Sequence, residues 1–299
     1  MAKKVSASRK TFLIANHVIL IAASLLCLLP FVNLLAISFS NKIAVVAREV
    51  AFWPKGFNVD AYKFILHSNA FSTALWISVK RTALGVAVNL ALIILTAYPL
   101  SKSKTEFRAR QWFSWFFVIT ILFQAGMIPM YLVVRYTHLI NSLWSLVLPG
   151  ALPVFSMLVV MNYIRGLPQE LMEAAYIDGA GHMRTLWSLV LPVSTPTIAT
   201  VALFSLVNHW NSWYDGMIYM NKIESYPLQS YLRTVVINPE AFFRNATNMS
   251  DSLQRFVNTV NARTTNAAQL FLGMIPILLV YPFLQKYFTT GLVLGSVKG

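Results

Sequence analysis

Glu170–Pro196 reads ELMEAAYIDGAGHMRTLWSLVLPVSTP, a charged, helix-rich passage set between two strongly apolar segments. Pro168 suits the first position of a helix, and Gln169, Glu170 and Glu173 place acceptors and negative charge in its opening turns. Ala174 and Ala175 favour helix and keep one face slim enough for another protein to approach closely. Gly179 is a suitable C-terminal stop, and Gly181 adds a second flexible position before an apolar helix over Met183–Leu191 that leads back into the next apolar segment. The pattern predicts a short helix, a sharp turn and a second helix. Two readings follow from the residues: an ordinary re-entry loop, or a rigid protruding element able to pass a push into the rest of the chain.

The surrounding composition says what that element is attached to. Of 299 residues, 57% are hydrophobic and only 11% charged, with a mean hydropathy of +0.60. Soluble domains carry about 25% charged residues, so this chain is built for lipid. Its net charge of +14 does not point to nucleic acid, because many basic residues flank apolar runs, where they act as orientation signals. A lone Cys27 in an apolar run excludes a disulfide framework and a cysteine zinc site, and reads as a small buried hydrophobe. His17, His67, His138, His182 and His209 are scattered without metal-site spacing, so no metal is expected.

The chain organises as apolar runs joined by loops. Residues 1–11, with Lys3, Lys4, Arg9 and Lys10, precede a run from about Phe12 to Phe39. At roughly 28 residues the run exceeds the ~7–15 of a signal-peptide core, and no small-residue cleavage site follows, so it reads as a retained first span. Residues 40–70 fit an external loop. A second span covers about Phe71–Leu100, and the loop after it holds Lys102, Lys104, Arg108 and Arg110 against Glu106, which places it in the cytoplasm. A third span covers about Trp112–Val134, interrupted by Gly126 and Pro129. An external link at 135–142 follows, then a fourth span over about Leu143–Ile164 with Pro149 and Pro153 inside it. The 165–191 loop is cytoplasmic, and Pro192 and Pro196 open a fifth span reaching about Trp213. Residues 214–266 form an external loop, and a sixth span near Ala267–Tyr287 ends the membrane region, 12–290, before a cytoplasmic tail at 291–299. Each run meets the ~20 apolar residues a bilayer requires. The expected fold is therefore an all-α integral membrane protein with six transmembrane helices and both termini cytoplasmic. The sequons at Asn245 and Asn248 are three-residue patterns that chance supplies readily.

With EAA at 173–175, DGA at 178–180 and LP at 191–192, the central passage closely resembles the EAA loop of binding-protein-dependent ABC import permeases. The match is to the carbohydrate branch, the MalG-like permeases of the YtcP and LplC group, and covers nearly the whole chain. The order of spans, the large external loop before the last one and the ending QKYFTTGLVLGSVKG, with Gly291, Gly295, Val297, Lys298 and Gly299, carry the same resemblance. It implies a MetI-like fold in the bacterial cell membrane and a heterodimer with a second, similar permease. Two ATPase chains and an extracytoplasmic solute-binding protein complete the implied assembly. It also implies that Glu173 and Gly179 dock the ATPase, with Ala174, Ala175, Asp178 and Ala180 part of the same pattern. GxxxxGK[ST] is absent, so ATP and Mg belong to the separate ATPase and no cofactor is expected on this chain.

A substrate path is suggested by polar residues inside apolar runs. Lys80 and Arg81 lie about nine residues into the second span, roughly 14 Å deep at 1.5 Å per residue. Charges at that depth face a cavity or a partner. Asn208, Asn211 with Ser212, and Asp215 follow helical spacing and predict one polar face. Amides there could bond sugar hydroxyls while Trp210, Trp213 and Tyr214 offer flat apolar faces. Trp213 and Tyr214 also fit interface anchoring. Lys80 and Arg81 either pair with Asp215 or the sister subunit, or meet an acidic sugar such as a pectin or alginate oligomer. Two rivals stand beside the importer: a secondary transporter, which calls for internal repeats and a midplane ion site, and a membrane-embedded enzyme, which calls for HExxH, GxSxG or clustered acids and histidines. The sequence holds none of these.

Overall fold

Helix α1 (Ala7–Ser38) has no acid in its first turn and contains Pro30, and apolar residues surround it. None of its membrane-compatible window is buried. An all-round apolar helix left uncovered by its own chain requires lipid or another protein around it. Cys27 sits on this helix and is exposed, so it is not the residue buried within its own chain that the sequence suggested; among the described residues none covers α1 there. The computed structural model describes residues 7–67, 69–123, 125–238, 240 and 259–296, and every regular element among them is helical. Lys3, Lys4, the sequons at Asn245 and Asn248, and Val297, Lys298 and Gly299 lie outside the described residues.

The chain divides into two units, residues 1–72 with 232–274 and residues 73–231 with 275–299. In the first, the stretch expected as an external loop at 40–70 carries two short helices, α2 (Lys42–Val46) and α3 (Asp60–His67). Asn41 caps α2 by accepting from the Ala44 N–H at 2.8 Å. Phe39 stacks on Phe57 at 5.4 Å and on Tyr62 at 4.8 Å between ring centroids, while α3 buries Ala61, Phe64 and Ile65. Aromatic and apolar residues spaced through the loop supply a small core of their own, which is why it folds.

The second unit is built on α4 (Asn69–Ser101), 33 residues long, or about 50 Å at 1.5 Å per residue. After it come α5 (Arg110–Leu122) and α6 (Met127–Tyr136). The expected third span is broken between them at Gly126, whereas Pro129 falls in the first turn of α6, where a missing N–H costs little. The expected fourth span is helical only from α7 (Val154–Arg165) onward. Leu143–Leu146 and Leu148–Gly150 are single 3₁₀ turns, because Pro149 and Pro153 remove the donors a continuous helix needs.

Next come α8 (Gln169–Ile177) and α9 (His182–Val193), whose middle, Leu186–Val190, is a π-helical turn. Helix α10 (Thr195–Asn211) departs from α9 at 82°. The long helix of the expected fifth span therefore begins at Thr195 rather than at Pro192, with Pro196 in its first turn. Short α11 (Tyr214–Tyr219) and α12 (Leu228–Ile237) follow, so the expected loop from 214 is also partly helical. Helix α13 (Ala262–Ser296) starts five residues before the predicted span and runs through Gly291 and Gly295. Asn261 sets that start: its side chain accepts from the Thr264 N–H at 2.8 Å while its own N–H donates to Thr264 Oγ1 at 3.1 Å.

Ile93, Ala97 and Leu100 of α4 pack with Met157, Val160 and Ile164 of α7, Leu186 and Val190 of α9 and Val201 of α10 to form the core of the second unit. Met172 of α8 rests on its edge. Among the described residues, three helices are long and apolar enough to cross a membrane, or up to six if each bent pair is one span.

Candidate coupling and translocation sites

Helix α8 ends in a Schellman turn that its sequence dictates. The Ala180 N–H donates to the Ala175 carbonyl at 2.9 Å and the Gly179 N–H to the Tyr176 carbonyl at 3.0 Å, with Gly179 at φ +75°. That pairing satisfies the last carbonyls and requires a left-handed residue at the stop. Pro168 stands just before the helix instead of at its first position. Met172 and Tyr176, four residues apart, are drawn inward, while Glu173, Ala174, Asp178 and Gly179 are exposed and Ala175 and Ala180 half-buried. Ile177 is 86% exposed, a large apolar side chain held out on a charged helix. Of the two alanines expected to keep the outward face slim, Ala174 stands on it with Glu173, whereas Ala175 turns partly inward.

Behind α8 lies a feature that sequence reading missed. The Lys102 ammonium donates to Tyr176 Oη at 2.6 Å and sits 4.9 Å from the Tyr98 ring centroid and 5.1 Å from that of Tyr176. Glu106 lies 3.8 Å away. The Ser103 backbone N–H, ahead of the Ser103 hydroxyl and Lys102, holds the Glu106 carboxyl below the usual carboxylate range. A cleft of about 450 Å³ opens here, lined by Lys102, Glu106, Arg165, Gln169, Glu173 and Tyr176 among others. In the sequence Lys102 is only one of several basic loop residues; Tyr98 stands one turn before it, but Tyr176 and its hydroxyl come from 74 positions along the chain.

The polar residues of the apolar runs are arranged differently from expectation. Arg81 is 2% exposed; its guanidinium forms a two-pronged pair with the Asp215 carboxylate and donates to the Ser212 carbonyl at 3.1 Å. Asp215 also accepts from the Ser212 hydroxyl at 2.8 Å and the Gly216 N–H at 2.9 Å. One turn along α4, a Cβ on Gly85 would collide with the His209 ring. A turn further, the Asn89 side-chain amide lies 3.3 Å from both Ser205 Oγ and His209 Nε2, and in the orientation that satisfies both its atoms the amide nitrogen donates to the Gly85 and Ala151 carbonyls. Arg81, Gly85 and Asn89 thus form a buried polar seam between α4 and the 205–215 segment. Lys80 points elsewhere, exposed, with its ammonium 5.3 Å from the Trp76 ring centroid.

Two expectations are corrected by this geometry. The pair of cations does not form one site, because successive helical residues point about 100° apart and Arg81 is neutralised by Asp215. Nor do Asn208, Asn211 and Asp215 share one helical face, since α10 ends at Asn211 and Ser212 is extended. Asn208 and Asn211 remain exposed, whereas Trp210 is buried and does not stand beside them.

The family model of the binding-protein-dependent transport system inner membrane component matches residues 90–214, from just after Asn89 to Tyr214. Over 280 residues the chain is 36% identical to the polygalacturonan/rhamnogalacturonan transport system permease protein YtcP of Bacillus subtilis (strain 168), spanning 94% of this chain and 96% of that one. The chain belongs to this family of ABC-importer permeases. Protein LplC of the same organism is also 36% identical, over 290 residues, covering 97% of this permease and 96% of LplC. The crystal structure of a bacterial ABC transporter involved in the import of the acidic polysaccharide alginate includes a chain with a TM-score of 0.86 and 30% identity. The match covers 96% of this permease and all of that chain. The permease is therefore a MetI-like, all-helical membrane protein.

Proposed function

We propose that this permease is one half of the translocation path of an ATP-driven oligosaccharide importer in the bacterial inner membrane. It crosses the bilayer six times with both termini in the cytoplasm, and pairs with a second, similar permease. An extracytoplasmic solute-binding protein delivers the sugar. Two separate ATPase chains, which hold the ATP and Mg, drive alternating access through α8. The observation that carries this reading is the exposed Glu173–Gly179 face, presented on a helix whose stop is built into its sequence, in a chain related end to end to sugar permeases. Glu173, Ala174, Ala175, Asp178, Gly179 and Ala180 make the ATPase contact. The permease itself performs no covalent chemistry.

The cargo is acidic. Relatives named for polygalacturonan and alginate support this, and Lys80 beside Trp76 joins a cation to a flat ring on the open side of α4. Asn208 and Asn211 supply hydrogen bonds to hydroxyls along the same path. Arg81 and Asp215 shape the path without binding sugar, and Trp210 supports it from the core.

The test is reconstitution with ATPase and binding protein, followed by ATP hydrolysis across neutral and uronate oligosaccharides. Stimulation by uronate oligomers, reduced roughly 10-fold by Lys80→Gln, is expected, on the scale of one lost charge-assisted contact. Stimulation by neutral oligomers alone refutes the acidic cargo but keeps the importer. If no ATPase co-purifies, or Glu173→Ala leaves its binding unchanged, α8 is not the coupling element, and a secondary transporter or membrane enzyme becomes the better reading.

A further inference from the structure

We propose that Lys102 is a positioning residue for energy coupling: it fastens α8 to the inner end of α4, so that displacement of α8 is delivered to α4 and not dissipated at the loop. The inference rests on the proposed role of α8. Lys102 follows the last residue of α4, and only 11% of its side chain is exposed. Its ammonium is held between the rings of Tyr98, from α4, and Tyr176, from α8, and bonds the Tyr176 hydroxyl. His182, at the start of α9, closes the group, with Nδ1 3.3 Å from Tyr176 Oη and its ring 6.5 Å from that of Tyr98. The cation therefore joins α4 to α8, and Tyr176 carries the link on to His182 of α9.

The neighbouring backbone is secured as well. Arg165 at the end of α7 donates to the Leu100 carbonyl at 2.8 Å, and Arg110 at the start of α5 donates to the Lys102 carbonyl at 2.8 Å. These are helix-end carbonyls that α4 cannot satisfy internally, and arginines suit them by charge and hydrogen bonding. Three elements thus converge on residues 100–102. Helix α4 continues from there without interruption to Arg81, about 30 Å away at 1.5 Å per residue, where the guanidinium grips Asp215 and the Ser212 carbonyl. The stretch from Arg81 to Lys102, held at either limit by charged contacts, is a physical connection between the cytoplasmic push and the 212–215 corner.

A cation enclosed by two rings and a hydroxyl is directional. It resists sliding of α8 across α4 more than apolar packing of the same area does, because the ammonium must leave both ring faces and its hydrogen bond together. Hydrophobic replacements of similar length preserve packing and remove this restraint, which separates fastening from folding.

Two measurements test the assignment. In the purified permease alone, hydrogen exchange at the Met172–Ile177 amides is expected to speed up in Lys102→Met and return towards wild type in Lys102→Arg. In the complex with ATPase and binding protein, Lys102→Met is expected to retain ATPase binding and basal hydrolysis while sugar transported per ATP falls ~5-fold or more, the lower range of site-to-site coupling. Lys102→Arg restores the ratio, and Tyr176→Phe lowers it without adding to Lys102→Met. Unchanged exchange in Lys102→Met overturns the fastening whatever the ATPase does. An unchanged transport-to-hydrolysis ratio, with both activities falling in parallel, reduces Lys102 to a stability role. Failure of the wild-type permease to bind an ATPase overturns instead the coupling role of α8, while the exchange measurement still decides the fastening.

Discussion

Arg81 shows how a charge in an apolar run is made tolerable. An unpaired guanidinium in a low-dielectric site is costly, and here the cost is offset by a two-pronged carboxylate and a backbone carbonyl. Asp215 in turn is held by Ser212 and Gly216. Removing one partner strands the other, so Arg81→Gln or Asp215→Asn is expected to destabilise the purified permease by about 3–5 kcal/mol. The double variant should recover most of that loss, as a double-mutant cycle of thermal unfolding in detergent will register. Additive losses would mean that the two side chains do not act as a pair. From the sequence, the pairing stood only as one of several options for Arg81; the residues are separated by 134 positions, and no local pattern distinguishes a partner at that distance from a sugar.

Helices α8 and α9 are legible in the sequence because their signals are local. The acids of the first turns, the two alanines and Gly179 all act within one or two turns of where they stand. Gly179 also yields the sharpest test of the element. At φ +75° an L side chain is disfavoured by about 1–2 kcal/mol, and a β-branched one suffers most. Gly179→Val is expected to fray the end of α8 and weaken co-purification of the ATPase, while thermal unfolding of the rest of the permease changes little. Wild-type ATPase binding by Gly179→Val would remove the turn from the coupling role. The breaks elsewhere were less legible. Pro192 reads as the start of a span, yet the bend of 82° comes after Val193, because a proline is tolerated in a helix whose neighbours re-satisfy the freed carbonyl. Residues 40–70 read as a loop by polarity, but Phe39, Phe57 and Tyr62 find one another and make a core that a sliding average of hydropathy does not register.

Taken whole, the described residues show a first helix uncovered by its own chain, a polar seam between α4 and the 205–215 segment, and a basic loop beside α8. The charge pattern argues for residues 101–109 and α8 on the same side as both termini, and Lys102 bonded to Tyr176 requires those two segments to share a side. Reporter fusions after Ser103 and after Gly179 are expected to show cytoplasmic activity, and fusions in the 135–142 link to show external activity. Opposite sides for the first two would break the six-span topology. The exposed window of α1 fits a helix that lipid or another protein covers.

Membrane class and the helix–turn–helix of residues 169–193 were readable in the chain alone because hydropathy, charge and capping act over a few residues and leave a one-dimensional trace. Two other features belonged to tertiary structure: the union of Arg81 with Asp215, which withdrew one of two adjacent cations from the path, and the enclosure of Lys102 by Tyr98 and Tyr176. Their partners lie as far as 134 and 74 positions away in sequence. Which of several chemically suitable groups a buried charge meets is decided by how helices pack, and packing depends on the shapes of many side chains at once.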